Sequence, residues 1–231
     1  MLDSYIRPYI NPPLSMAARQ IVRFDITANQ ITYAGFALGG VVFVCLWLQA
    51  YIAALVFLVL NRLTDGLDGA VARYWNKRDA MKGTSDYGGY IDIVLDMIFY
   101  AGFVFFFCAG RPDLFPYGAF VIFSFVGTSS SFLTYGIMAA KRGEETALRG
   151  RKSFFHAGGL IEGTETIIFM ALVCLLPDYF AVIASIFAAL CWVTVIARIK
   201  AARDKFSIKP GASPQPKPGE KTASDRSGID L

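Results

Sequence analysis

Asp65-Gly66-Leu67-Asp68-Gly69-Ala70-Val71-Ala72-Arg73, followed by Gly88-x-x-x-Asp92-x-x-x-Asp96, is the stretch on which the fold turns. Its four aspartates lie inside segments that hydropathy marks as lipid-spanning helices, where an unpaired carboxylate is costly and normally excluded. Asp65 and Asp68 are spaced i,i+3 and Asp92 and Asp96 i,i+4, so each pair shares one helix face. Counted from Arg73 and from Gly88 at 1.5 Å per residue, the pairs reach matched depths of roughly 6–7 Å and 12 Å. Antiparallel neighbours can therefore turn all four carboxylates toward one another. Oxygen ligands without His or Cys favour Mg²⁺ or Mn²⁺, and four carboxylates can hold two such ions, a known device for phosphoryl chemistry. Gly66 and Gly69 leave room for a phosphate or ribose beside the backbone, and Arg73 offers a guanidinium to the same group. A single aspartate near a span end is ordinarily a cap or a solvated residue; four at matched depth are not explained that way.

The rest of the chain agrees. Its 231 residues are 55% hydrophobic with 20 Phe, and its charge is confined to short stretches between apolar runs. That composition reads as an all-α, polytopic membrane helix bundle of about six transmembrane helices behind an N-terminal interfacial helix. The expected spans are 31–49, 51–73, 88–109, 115–140, 158–176 and 179–198, each boundary good to about 2–4 residues. Residues 1–206 then form one transmembrane domain, with an interfacial segment over 1–30 and the spans over 31–200. Residues 207–231, poor in apolar side chains, read as a disordered cytoplasmic tail. Cys45, Cys108, Cys174 and Cys191 all fall in apolar runs and read as packing residues. No removable signal peptide is expected in the first 30 residues.

Basic residues set the orientation. Arg7, Arg19 and Arg23 precede span 1; Arg73, Lys77, Arg78 and Lys82 lie between spans 2 and 3; Lys141, Arg142, Arg149, Arg151 and Lys152 lie between spans 4 and 5. The opposite loops contain only Arg111. By the positive-inside rule both termini and the aspartate site face the cytoplasm, in the inner membrane if the cell is bacterial.

The motif D-x-x-D-G-x-x-A-R, then G-x-x-x-D-x-x-x-D, resembles the signature of the CDP-alcohol phosphatidyltransferases. Each fixed position is present, as Asp65, Asp68, Gly69, Ala72, Arg73, Gly88, Asp92 and Asp96. The 14 residues between Arg73 and Gly88 exceed the usual gap and predict an elbow between the two helices. The resemblance implies that Asp65, Asp68, Asp92 and Asp96 bind two Mg²⁺ or Mn²⁺ ions, that Asp96 also deprotonates the acceptor hydroxyl, and that Gly69, Arg73, Ser85 and Gly88 meet the CDP group. Thr27-Ala-Asn29-Gln-Ile-Thr32 is similar to the family's P-N-x-x-T segment, with Ala28 in place of proline. Asn29 and Thr32 become nucleotide contacts on that reading, or helix caps on the plainer one. Implied partners are a CDP-alcohol lipid donor, a small alcohol acceptor and membrane lipids, with no nucleic acid; a homodimer is common in that family.

A second polar set opens span 5. Glu162 and Glu165, with Arg142, Arg149 and Arg151, either line the acceptor pocket or pair to fix helix packing. The basic cluster also suits anionic headgroups. His156 is assigned no role. The rival reading of the aspartates is a divalent-cation carrier, which needs polar groups along a path to both faces. The outer halves of the spans are almost purely apolar.

Overall fold

The computed structural model describes residues 3–79, 82–142 and 160–207, with the backbone alone for 3–10. Seven helices appear among the described residues, and no strand: α1 Asp3–Ile21, α2 Ala28–Trp47, α3 Tyr51–Arg78, α4 Asp86–Gly110, α5 Phe115–Lys141, α6 Gly163–Leu175 and α7 Phe180–Phe206. Helices α2, α4, α5 and α7 are long and apolar enough to cross a membrane. α3 has the length, at 28 residues, but carries Arg62 just before its midpoint and Asp65, Asp68 and Arg73 in its second half. α6 shows only 13 residues, beginning at Gly163 and not at the expected 158, because Glu162 stands in extended conformation as its N-cap.

Six helices close a ring in the order α2, α3, α6, α7, α5, α4. Its interior is filled by the fully buried Phe99, Phe103, Phe107, Phe180, Leu58 and Met170. Outward stripes such as Ile52, Val56, Val59 and Leu63 on α3 repeat at helical spacing and are exposed, as a lipid-facing surface is. Lipid is as apolar as these side chains, so close packing has to hold the ring together. Gly39 on α2 lies against Phe99, and Gly110 at the end of α4 lies against the Leu46 and Trp47 carbonyls.

α1 runs outside this ring and packs along α3, where Ala18 and Val22 join Ile31, Ala70, Val71 and Trp75 in a second core. It continues across Pro12 and Pro13, both exposed, where solvent or headgroups can satisfy the carbonyls those prolines leave unbonded. The elbow after α3 is built by Asn76, which accepts from the Thr84 amide at 2.8 Å and donates to its hydroxyl at 2.8 Å. Trp75 ties the same corner to the turn before α2 by donating to Ile26 O at 3.0 Å.

Candidate active site

α3 and α4 both pack on α2 and barely touch each other, so a cleft opens between them with α2 as its floor. Asp65 and Asp68 from α3, Asp92 and Asp96 from α4, and Thr32, Gly35, Phe36, Asn61 and Arg62 line it. The helical spacing that put each acidic pair on one face thus brings all four carboxylates to one cleft.

On each helix one carboxylate is anchored and the other open. Thr32 donates to Asp68 Oδ2 at 2.6 Å, and Arg62 Nη1 donates to Asp96 Oδ1 at 3.0 Å. Asp65 has only the longer approach of Arg62, 3.9 Å. Asp92 accepts no hydrogen bond among the described residues, and both keep free oxygen lone pairs. Among the described residues no three acidic, His or Cys side chains stand close enough to form a finished cation cage. Instead the aspartates ring the cleft, and Arg62 is the positive charge the chain itself sets against their mutual repulsion. The donor set, four carboxylates with two unencumbered, fits a hard divalent cation.

At the mouth, Thr27 caps α2 in a capping box with Gln30, whose Oε1 accepts from the Thr27 amide at 2.9 Å. Asn29 is thereby spared capping, and its Oδ1 lies beside Gly88, 2.9 Å from where a Cβ would stand. Ser85 caps α4 by accepting from the Gly88 amide at 3.0 Å. Arg73 is exposed and folds back beside Gly69. Asn29, Thr32, Ser85 and Gly88 therefore sit on the α2–α4 side of the cleft mouth, and Gly69 and Arg73 on the α3 side. Gly66, expected to admit a phosphate, is instead covered by Leu14 of α1.

Of the second polar set, Glu162, Glu165 and Arg142 are not among the residues lining this cleft. Glu165 accepts from the Glu162 amide at 3.1 Å within the capping box of α6. Arg142 donates to the Lys205 and Phe206 carbonyls at 2.9 and 2.7 Å, joining the ends of α5 and α7. Arg149, Arg151 and His156 fall outside the described residues.

Sequence reading missed Arg62, Asn61 and Tyr100. The signal was present: Arg62 is an intramembrane arginine one turn before Asp65, where a carboxylate partner is the default expectation. Tyr100 is one turn beyond Asp96 and its hydroxyl reaches Asp96 Oδ2 at 3.4 Å.

The sequence model of the CDP-alcohol phosphatidyltransferases matches residues 25–199, from just before α2 into α7. The chain belongs to this family. It is a phosphotransferase of phospholipid synthesis and a multi-pass integral membrane protein. Inner membrane protein YnjF of Escherichia coli is 43% identical over 200 residues, 86% of this chain and 94% of that one. Archaetidylinositol phosphate synthase of Pyrococcus horikoshii is 32% identical over 102 residues, 44% of this chain and 51% of the relative. The crystal structure of Mycobacterium tuberculosis phosphatidylinositol phosphate synthase with CDP-DAG bound superposes with a TM-score of 0.60 at 18% identity, covering 87% of this chain and 98% of that one. The same enzyme in complex with manganese and citrate gives 0.56 at 18% identity, over 81% and 88%. At that identity the likeness establishes the transferase fold.

Proposed function

We propose that this phosphatidyltransferase moves a phosphatidyl group from a CDP-linked lipid, CDP-diacylglycerol in the first instance, to a small hydroxylated acceptor. The single observation that carries this reading is the cleft between α3 and α4 with all four motif aspartates on its walls. The M. tuberculosis enzyme of the same fold is known with CDP-DAG and with manganese.

Asp65, Asp68, Asp92 and Asp96 would hold two Mg²⁺ or Mn²⁺ ions, which when bound neutralise the diphosphate and stabilise the departing oxygen. The chain's own residues do the rest. Asn29, Thr32, Ser85 and Gly88 on one side, with Gly69 and Arg73 on the other, receive the nucleotide at the mouth. Thr32 keeps the Asp68 carboxylate turned inward. Asp96, at the deep end, takes the acceptor's proton as its oxygen attacks the lipid-side phosphorus; the bond to CMP breaks, CMP leaves, and a phosphodiester forms. Glu162, Glu165, Arg142, Arg149 and Arg151 are the acceptor-side candidates from the sequence. Positive charge at the site end of the helices supports placing the cleft and both termini at the cytoplasmic face.

A cation carrier is disfavoured by what lies beneath Asp96: Phe99, Phe103, Phe107 and Leu58, all fully buried, fill the bundle toward the opposite face. The deciding experiment is CMP release in liposomes from CDP-diacylglycerol, with inositol phosphates, glycerol phosphate and serine as acceptors, in Mn²⁺ or Mg²⁺ or with chelator. An acceptor-specific lipid product that vanishes with chelator is expected. Divalent-ion flux without CMP release would overturn the reading.

A further inference from the structure

Arg62 occupies a place in the cleft that the aspartate motif does not cover. Its side chain is 12% exposed. Nε donates to Asn61 Oδ1 at 2.8 Å, and Nη1 donates to Asp96 Oδ1 at 3.0 Å and to the Tyr100 hydroxyl at 3.2 Å. The guanidinium carbon lies 4.8 Å from the centroid of Phe99 and 5.5 Å from that of Tyr100. Its supports are fixed in turn: Asn61 is buried and donates to Gly35 O at 2.7 Å, and Phe99 belongs to the buried core.

We infer that Arg62 is the positioning residue of this site: it fixes the Asp96 carboxylate for proton transfer, and its charge loosens the grip of the four aspartates on cations. The inference rests on the transferase reading, in which Asp96 takes the acceptor's proton. An aspartate at a cleft wall turns freely about two side-chain torsions. Bonded to a planar guanidinium that is itself seated on two rings, Asp96 is left one orientation. The charge acts separately. Arg62 stands 3.0 Å from Asp96 and 3.9 Å from Asp65, so it offsets carboxylate charge and repels any divalent cation entering between them. An arginine that merely held the helices together would do the reverse: its loss would loosen the cleft, weaken cation binding and lower stability together.

Geometry and charge are therefore separable by substitution. Full-length wild type, Arg62→Met, Arg62→Lys and Tyr100→Phe are purified in detergent. Mn²⁺ binding without nucleotide is read by electron paramagnetic resonance, and kcat and KM for CDP-diacylglycerol by CMP release. Arg62→Met is expected to bind Mn²⁺ about threefold tighter or more, since a nearby positive charge is gone. Its kcat falls about 10- to 100-fold with KM within about twofold, the mark of lost orientation. Arg62→Lys keeps the charge and binds Mn²⁺ like wild type, yet its kcat stays about tenfold low, because an ammonium cannot bridge Asn61, Asp96 and Tyr100 at once. Tyr100→Phe leaves Mn²⁺ affinity unchanged and lowers kcat about threefold or more.

Mn²⁺ binding by Arg62→Met no tighter than wild type overturns the inference, as does a kcat for Arg62→Lys within about twofold of wild type. Should Arg62→Met fail to fold, wild-type kcat in both Arg62→Lys and Tyr100→Phe overturns it equally. A wild-type protein that neither binds Mn²⁺ nor releases CMP is a different result, and it removes the transferase reading itself.

Discussion

Thr32, on the second turn of α2, donates its hydroxyl to Asp68 Oδ2 across 2.6 Å, so a helix outside the aspartate motif holds one of the motif's carboxylates. The hydroxyl has one proton and a second acceptor, Ala28 O, at 3.2 Å. The shorter, charged partner takes it. Asp68 is 8% exposed, and Thr32 turns its carboxylate into the cleft.

Thr32→Val keeps the shape and removes the donor. A hydrogen bond to a charged group contributes about 1.5–3 kcal/mol, so CMP release should fall about tenfold or more. Thr32→Ser, which keeps the hydroxyl, should stay within about threefold of wild type. Steady-state CMP release separates them, and a fully active Thr32→Val would mean that Asp68 is oriented by something else.

The helix ring makes a prediction about stability that does not involve the cleft. A Cβ on Gly110 would lie 2.7 and 2.8 Å from the Leu46 and Trp47 carbonyl oxygens, backbone atoms that cannot rotate away. Gly110→Ala should therefore cost about 1–3 kcal/mol, as overpacking typically does. Gly40, one turn further from the site than Phe36, has nothing within 4 Å of its Cβ position. Gly40→Ala should be neutral or stabilising by up to about 1 kcal/mol through helix propensity. Thermal unfolding in detergent compares the two, and equal midpoints would show that α4 is not seated on the end of α2.

Much of this was legible in the sequence, for identifiable reasons. Long apolar runs bounded α2, α4 and α5 to within a few residues, and the i,i+3 and i,i+4 spacings put Asp65, Asp68, Asp92 and Asp96 on facing walls. Arg62 was legible as an intramembrane charge in need of a carboxylate, but the sequence does not say which carboxylate it meets. Only the placement of α3 and α4 on opposite sides of the cleft reveals Asp96 and Tyr100 as its partners. Gly66 was misread because sequence does not say which face of α3 the N-terminal helix covers. Glu162 and Glu165 share one helix face only if the helix already runs through 162; that Glu162 stands just outside it as the N-cap, with Glu165 closing the capping box, is a matter of where α6 starts, and boundaries are the weakest part of a periodicity argument.

The elbow between α3 and α4 offers a contrast between a hydrogen-bonded turn and an ion pair, both at the surface. Asn76 holds both the Thr84 amide and its hydroxyl, fixing the chain just before Ser85 caps α4. Lys82 meets Asp25 at 2.6 Å, with side chains 37% and 69% exposed. Asn76→Ala should lower the unfolding free energy by about 1–2 kcal/mol, because two hydrogen bonds that define the turn are lost. Lys82→Ala should cost less than about 0.5 kcal/mol and less still in high salt. If the two losses prove equal in a salt series, the elbow is held electrostatically and not by Asn76.

Asp96→Asn tests the proposed base with little disturbance of its surroundings. The Asn Oδ1 that replaces the carboxylate oxygen can still accept from Arg62 Nη1, now 3.0 Å away, so the α3–α4 link and the fold should persist. What disappears is the capacity to take a proton, and general-base groups typically contribute about 10²–10⁴ in rate. CMP release should drop by about that factor while the thermal midpoint moves little. Mn²⁺ binding weakens, since one of four anionic ligands is lost, but three remain and raising the ion concentration should recover occupancy. Saturating Mn²⁺ therefore distinguishes the two roles of Asp96: activity restored at high Mn²⁺ would make it a ligand only, whereas persistent inactivity at full occupancy identifies the proton acceptor.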